Sequence, residues 1–434
     1  MLDRIVIIND DGAQSGGAAA VAIASARLLA GRGIPVTFVS GEGSADPELS
    51  IPGIDLVRLD GAHIMSGARG SAALRGLYNP GTRGAVCNWI KTRDTPGTVY
   101  HLHNWHKVLS PAIFGALGEV APRLVMTAHD YFLACPNGGY FLYPRGVECE
   151  VVPGSIRCLA TSCDRRHYGH KLWRFARHQL RRSLFEFSGT EATLLAVHEG
   201  MVPYLRRAGI PSRVIRTLRN PVTPWRAERV QAERNTDIFF IGRLEKDKGV
   251  DLLARAARQA GVRLRVIGEG PLALVLAEQH PEIDLLGWRP RVEIAALVAE
   301  ARLVVVPTRW RETFGLVAIE ALMSGIPVIA SQTGLISGEI VAQGFGLACD
   351  PYDESALAGA IRQLARDDEL VRLMSHRAFA GARQLAPTPE AWCDELIALY
   401  EGKLRVLAFG AEAASAGREP TVSTNHIATR PGTW

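Results

Sequence analysis

The sequence predicts an α/β protein of two doubly wound domains that face each other across a cleft. Three observations carry this expectation. Strand-like apolar runs alternate with helical patterns over 4–218 and again over 237–330, the rhythm of parallel strands joined by crossover helices. A polar, irregular stretch at 221–236 parts the two series and reads as a linker. The chain has 434 residues, more than one ordinary domain uses and comfortable for two.

In the first half, residues 1–220, strands are expected at 4–9, 35–40, 98–103, 124–129, 193–197 and 214–218. The first is followed by a polar loop, Asp10 to Gly17, and then by an Ala-rich buried helix interrupted by Arg27. The stretch 135–163, rich in Gly, Pro and Cys, breaks the rhythm and reads as an inserted loop. It holds Cys135, Cys149, Cys158 and Cys163. Four thiolates can form a structural zinc site, but no Cys-x-x-Cys pair is present, so free or packed thiols stand as the alternative.

The second half, 237–388, offers strands at 237–241, 263–267, 283–286, 303–307 and 327–330, with helices starting near Gly249, Pro271, Val292 and Phe314. A last helix, 389–409, is expected to cross back to the first domain, and the Ser/Thr/Gly/Pro-rich tail 410–434 to be disordered. In tandem doubly wound domains, binding loops lie at the carboxyl ends of the strands.

With 47% hydrophobic residues, each half can bury a full core. The formal charge of +5 suits small anionic ligands or an anionic membrane surface and does not call for nucleic acid. Seven cysteines, no basic leader and no run of about 20 apolar residues point to a cytoplasmic protein, with a peripheral place at the inner face of the membrane as an option. Segment 165–182 bears on that option, since its basic residues interleave with Trp173, Phe175 and Leu180. It reads either as a helix lying on an anionic membrane surface or as a solvated helix packing its aromatics on the sheet.

The chemistry concentrates in two motifs of the second half. Glu312 stands just before a helix and Glu320 lies inside it. The eight intervening steps, at about 100° each, bring the two carboxylates towards one side. Carboxylates at the mouth of a cleft accept hydrogen bonds from sugar hydroxyls, and Gly315 between them lets a ligand approach the backbone. Alone, this pair reads as two solvated glutamates on an amphipathic helix. The second motif, Gly242-Arg243…Lys248-Gly249, follows the first strand of the same domain and sets two cations at the crevice edge, where a diphosphate would lie. Lysine is scarce, six residues among 49 Lys and Arg, so Lys248 inside a motif carries weight.

The Glu312…Glu320 segment with its Gly325-Ile-Pro-Val sequel resembles the signature of glycosyltransferase family 4, whose fold is GT-B: two Rossmann-like domains facing across a cleft. The Gly242-Arg243…Lys248-Gly249 loop is similar to that family's diphosphate-binding loop, and Val266-Ile-Gly268-Glu-Gly270-Pro271 and Leu286-Gly287 also stand where the family has them. The likeness is dense over about 237–350 and looser over 1–220. It implies a retaining hexosyltransferase of bacterial polysaccharide or glycolipid assembly. The donor would be a nucleotide-diphosphate sugar and the acceptor a glycan or polyprenyl-linked molecule, with no cofactor and no metal in the chemistry.

Residue by residue, the resemblance gives Glu320 the donor ribose, Glu312 the transferred sugar, and Arg243 and Lys248 the diphosphate. Gly16 and Gly17 match the family's glycine loop, and Gly315 lines the donor site. His129 falls where the family has a His that meets the donor sugar, and His103 is a weaker candidate for meeting the acceptor. Two departures stand out. Thr333-Gly334-Leu335-Ile-Ser-Gly338-Glu339 replaces the family's Gly-Gly pair, and His198 replaces a common Ser. A nucleotide-sugar epimerase of the same fold and a non-catalytic sugar-nucleotide or lipid-carrier binding protein are the rival readings.

Overall fold

The structure, a computed structural model, describes residues 1–43, 45–64, 66 and 68–415. The first sheet contains β1 (Arg4–Asn9), β2 (Val36–Ser40), β3 (Ile54–Arg58), β4 (Thr98–Leu102), β5 (Leu124–Ala128), β6 (Thr193–Ala196) and β7 (Ile215–Thr217). They lie in the order 3-2-1-4-5-6-7, every pair parallel. The second sheet contains β8 (Asp237–Ile241), β9 (Leu264–Ile267), β10 (Asp284–Gly287), β11 (Ala301–Val306), β12 (Val328–Ser331) and β13 (Gly346–Cys349), in the order 10-9-8-11-12-13. In both sheets the strand order reverses beside the first strand, which opens a crevice at the carboxyl ends.

Period-two alternation builds the cores. Ile5 and Ile7 face one side of the first sheet, with Phe38 and Val99, while Val6 and Ile8 face the other, with Tyr100 and Met126. In β8, Ile238 and Phe240 enter a core private to the second domain, whereas Phe239 joins the cluster that runs on into the first.

Two strands, β3 and β13, were not expected from sequence. Both are edge strands; β3 is half-exposed and β13 opens on a glycine, so neither presents the continuous apolar run of a central strand.

Six helices matter below: α1 (Gly17–Gly31), α2 (Tyr168–Leu184), α3 (Val250–Ala260), α4 (Leu316–Met323), α5 (Ser337–Ala342) and α6 (Pro389–Ser415). Trp392, Leu396, Tyr400 and Leu404, four residues apart on α6, pack with Ile5 and Ile7 of the first domain. Tyr400 Oη meets His101 Nδ1 at 2.6 Å, tying that helix to the buried end of β4. The helix runs on to Ser415, past the boundary expected at 409; the rest of the expected tail, 416–434, lies outside the described residues.

Between β5 and α2 the inserted loop forms only a short hairpin, Phe141–Leu142 with Val147–Glu148, and one helical turn, Ile156–Ala160. On α2 the basic residues divide. Lys171, Arg177, His178 and Arg181 are buried: Arg181 donates to the carbonyl of Leu133 at 2.8 Å, and the Arg177 guanidinium lies 5.1 Å from the Trp105 ring. Much of the charge expected to face a lipid surface is therefore turned inward, Arg181 onto carbonyls and Arg177 onto aromatic faces, while Arg177 Nε and Nη2 and Arg181 Nε have no hydrogen-bond partner among the described residues. Among the described residues no helix is long and apolar enough to cross a membrane.

Candidate active site

The two crevices face each other and enclose a cleft of about 500 Å³, of the size that small-molecule sites occupy. Gly16, Gly17, His129, Arg243, Lys248, Glu312, Gly315 and Glu320 all line it. Of the residues singled out in the sequence, only His103 does not.

From the second domain, the loop after β8 carries Arg243 into the cleft, largely exposed and paired with Glu245 at 2.7 Å. It then turns through Gly249 into α3. A Cβ at Gly249, where φ is +73°, would stand 2.1 Å from the carbonyl oxygen of Pro307, so only glycine lets this loop close on the end of β11. That closure places Lys248 Nζ 2.9 Å from Glu312 Oε1 and 5.6 Å from the Trp310 ring. Thr308 Oγ1 donates to the second Glu312 oxygen at 2.8 Å. Burial pushes the Glu312 carboxyl up, but the Lys248 charge, with the hydrogen bonds from Lys248 and Thr308, outweighs it and leaves the group below its ordinary value.

Gly315, at φ +80°, opens α4. Glu320, about one and a half turns along, is gripped by Arg291, whose other amine reaches the carbonyl of Pro224 in the interdomain connection at 3.1 Å. Here burial wins over Arg291 and the carboxyl is raised. Across the cleft, a Cβ on Gly17 would stand 2.8 Å from Leu316 Cδ1, so the glycine loop of the first domain meets the start of α4 of the second. The free amides of that helix start suit an anion.

His129, at the end of β5, accepts a hydrogen bond on its carbonyl from Thr313 Oγ1 at 2.6 Å, a direct tie between the domains. Its Nε2 meets His103 Nδ1 at 2.9 Å, and the two rings stack at 5.2 Å. His103 is 3% exposed and stacks in turn on His101. The structure thus places His103 one ring behind the cleft, in contact with His129. Burial lowers His129 to about 3, so its ring is neutral.

Several lining residues carried no signal in the sequence. Asn104, His106, Lys107 and Asp130 lie on the first-domain wall. Asp10, after β1, accepts from the amides of Lys107, Val108 and Leu109 at 2.7, 2.9 and 2.9 Å and so shapes that wall. Asp130 is raised to about 6 by burial, while His106 is lowered well below its usual value, also by burial. Their 3.7 Å approach is therefore a neutral ring beside a carboxyl rather than an ion pair. Asp10-Asp11 directly after the first strand was the one available hint.

The two departures noted in the sequence meet outside the cleft. His198 Nε2 lies 2.8 Å from Glu339 Oε1, and Arg219 reaches Glu339 and Glu199 at 2.9 and 2.7 Å. Among the described residues, His198, Glu199 and Glu339 form the one set of three potential metal ligands within 4.8 Å of one another. Arg219 already occupies both carboxylates, so the set is a charge bridge between domains.

Residues 222–380 match the family described as glycosyl transferases group 1. An uncharacterized glycosyltransferase of Methanocaldococcus jannaschii is 34% identical over 138 residues, 30% of this chain and 39% of that protein. The chain thus spans about two fifths of the length of the curated relatives it matches first, 39% for the glycogen synthase of Mycobacterium tuberculosis. Solved structures align over nearly the whole chain. Sucrose-phosphate synthase from Thermosynechococcus elongatus superposes with a TM-score of 0.70 at 18% identity, over 93% of this chain and 100% of that one. HepE of Anabaena, in complex with UDP-glucose, gives 0.62 at 16%, over 92% and 99%. At such identities the likeness shows the fold, which is GT-B. Over residues 222–380 the chain thus carries a domain that matches the group 1 glycosyltransferases, and the motif residues of that domain are gathered in the one cleft.

Proposed function

We propose that the protein transfers a hexose from a nucleotide-diphosphate sugar to a glycan or lipid-linked acceptor, with retention of configuration and without a catalytic metal. The observation that carries this reading is the Lys248–Glu312 pair at 2.9 Å, set in one cleft with Arg243, Glu320 and the glycine loop of the other domain. A buried carboxylate held ionised by a lysine suits a sugar hydroxyl on one side and a diphosphate beside the cation on the other.

In this mechanism Glu320 takes the ribose, exchanging its Arg291 contact for hydroxyls. Arg243, Lys248 and the start of α4 hold the diphosphate. As the bond from the anomeric carbon to the diphosphate oxygen breaks, these groups stabilise the growing negative charge. The acceptor oxygen attacks from the same face and its proton passes to the departing phosphate oxygen, so no protein nucleophile is needed. His129, neutral, offers a hydrogen bond to the donor sugar and is oriented by His103. The acceptor enters along the first-domain wall at His106, Lys107 and Asp130. An exposed apolar patch, Val152, Ile156, Tyr168 and Leu172, with Tyr168 Oη bonded to the carbonyl of Leu159 at 2.9 Å, is proposed to touch an anionic membrane when the acceptor is lipid-linked.

The test is a thermal-shift panel of UDP-glucose, UDP-N-acetylhexosamines and GDP-mannose in buffer without added divalent ions, on the wild type and Glu320→Ala. UDP-glucose comes first because a structural neighbour is recorded with it. Stabilisation by one donor, lost in the variant, is expected. An equal response of the variant would sink the donor site.

A further inference from the structure

We propose that the insert of the first domain, with the turn that ends it at Arg165, is a strap that positions the diphosphate loop, Arg165 and Glu148 being its two positioning residues. This rests on the donor-site reading above and deepens it.

Lys248 and Glu312 form the central pair of the cleft, and the strap holds the residue that precedes each of them. Arg165 Nη1 donates to Asp247 Oδ2 at 2.8 Å, one residue before Lys248. Glu148 pairs with Arg311, one residue before Glu312. A third contact joins these two. Phe141, buried, stacks on Tyr352 of the second domain at 6.1 Å, and Tyr352 Oη donates to the carbonyl of Arg309 at 3.1 Å. Arg309 in turn grips the diphosphate loop, its amide on the Asp247 carbonyl at 2.8 Å and its guanidinium on the Lys246 carbonyl at 2.9 Å.

The strap can bear on another domain because its own base is fixed. Asn137, buried, donates through Nδ2 to the carbonyl of Phe141 at 2.9 Å. Its Oδ1 accepts the Gly139 amide and the Cys135 thiol, each at 3.0 Å, so that thiol packs within the insert. Asp164, next to Arg165, is buried against His170 and Arg174 of α2 at 3.0 and 3.3 Å. Burial pushes the Asp164 carboxyl up, but the His170 hydrogen bond and the Arg174 charge outweigh it and hold the group at about 2, so the anchor stays ionised.

On the second domain the receiving side chain is Arg311, which is buried. Its guanidinium lies 4.6 Å from the ring of Tyr204, another first-domain residue, and its Nε has no hydrogen-bond partner among the described residues. Glu148 is its counter-charge. Opening the cleft on this side withdraws Arg311 from Glu148 and Tyr204 and parts Arg165 from Asp247.

Exposed ion pairs add little to stability, so the work of these two is electrostatic and geometric. Asp247 stands between Lys246 and Lys248 in the chain. Left unpaired, its carboxylate draws on the cations that a diphosphate needs; paired with Arg165, it leaves Lys248 to Glu312 and the ligand. The same contact fixes the turn that carries Lys248, where a displacement of about 1 Å is enough to slow transfer strongly.

The experiment compares wild type, Arg165→Ala, Arg165→Lys and Glu148→Gln in the full chain. Calorimetric titration with UDP and UMP, and with GDP and GMP in parallel, separates the diphosphate contact from the rest of the nucleotide. Diphosphate affinity should fall about 10-fold in Arg165→Ala and in Glu148→Gln, with monophosphate affinity unchanged. Arg165→Lys should recover most of the loss. Hydrogen exchange without nucleotide should quicken at the amides of Lys248 and Gly249 in Arg165→Ala and stay unchanged in β8 and β11. Unchanged diphosphate affinity in both variants overturns the proposal. So does a parallel loss of mono- and diphosphate binding, or a uniform rise in exchange across the second domain, since either makes the insert a support of the fold. A wild type that binds no nucleotide sinks the donor-site reading instead. Exchange then decides the strap alone: faster at Lys248 and Gly249 upholds it, unaltered there overturns it.

Discussion

His198 Nε2 stands 2.8 Å from Glu339 Oε1, joining the end of β6 in the first domain to α5 in the second. His198 stands where a Ser is common in the family it resembles, and Glu339 ends the loop that lacks the family's Gly-Gly pair. Arg219, in the connection between the domains, completes the bridge through Glu339 and Glu199. A Ser at 198 could not span this distance, so the re-routed loop and the histidine make sense as a pair.

A double-mutant cycle on His198→Ala and Glu339→Gln should show coupling of about 1 kcal/mol, modest because Glu339 is a third exposed. The bridge also has a pH signature. Burial raises Glu339, but hydrogen bonds from Arg219 and His198 win and hold it below its ordinary value. A carboxyl depressed in the folded state stabilises above its unfolded value, near 4.3, and that contribution is lost as pH falls through the lower folded value. Urea midpoints of wild type and Glu339→Gln should therefore stay apart above about pH 4.3 and converge as pH falls below it.

The Lys248–Glu312 pair yields a sharper test. Lys248→Met leaves a buried carboxylate unpaired and should cost about 3 kcal/mol, read from denaturant curves. Adding Glu312→Gln removes that uncompensated charge and should restore most of the stability. Transfer should stay depressed by about 100-fold in the double variant, since the diphosphate cation is gone. Recovered activity in the double variant would reduce the pair to a packing role.

How much of this was legible in the sequence follows from where each signal is stored. The central strands announce themselves because they are buried on both faces, as in Ile5 to Ile8; β3 and β13, at sheet edges, do not. Lys248, Glu312 and Glu320 were legible because each of their two motifs is local, within its own strand–loop–helix passage. Arg291 was not: it reaches Glu320 from a different loop, and its role is defined only by packing. The first-domain wall is hidden for the same reason, since Lys107 is held by Asp10 while Asp130 comes to the same wall from the end of β5. His101 and His103, two residues apart, share a face as strand alternation requires. His101 lies on β4 and His103 just after it, and neighbouring rings and Tyr400 absorb both into the interior.

Glu320→Gln separates binding from stability. The carboxyl is raised in the folded state because burial outweighs Arg291, so its ionisation opposes folding above the unfolded value near 4.3. The variant should keep its melting temperature or gain slightly at pH 7, with Arg291 still bonded to the carbonyl of Pro224. Donor affinity should fall about 10- to 100-fold, the cost of one or two hydrogen bonds to a charged group. Isothermal titration with the donor found in the thermal panel checks this; unchanged affinity would remove Glu320 from the ribose.

The pH–rate profile distinguishes the two titratable neighbours at the end of β5. His129, lowered to about 3 by burial, stays neutral across the working range and contributes no limb near pH 6.5. Asp130, raised to about 6 by burial, sits on the same wall and changes charge within that range. If it positions the acceptor as a carboxylate, kcat/KM should fall below pH 6 with a single ionisation. Asp130→Asn should flatten that limb and raise the KM for acceptor while leaving the donor-induced thermal shift intact. His129→Ala should instead lower kcat by about 100-fold, with the limb near 6 still present. A limb that persists in Asp130→Asn and disappears in His129→Ala would reverse the assignment.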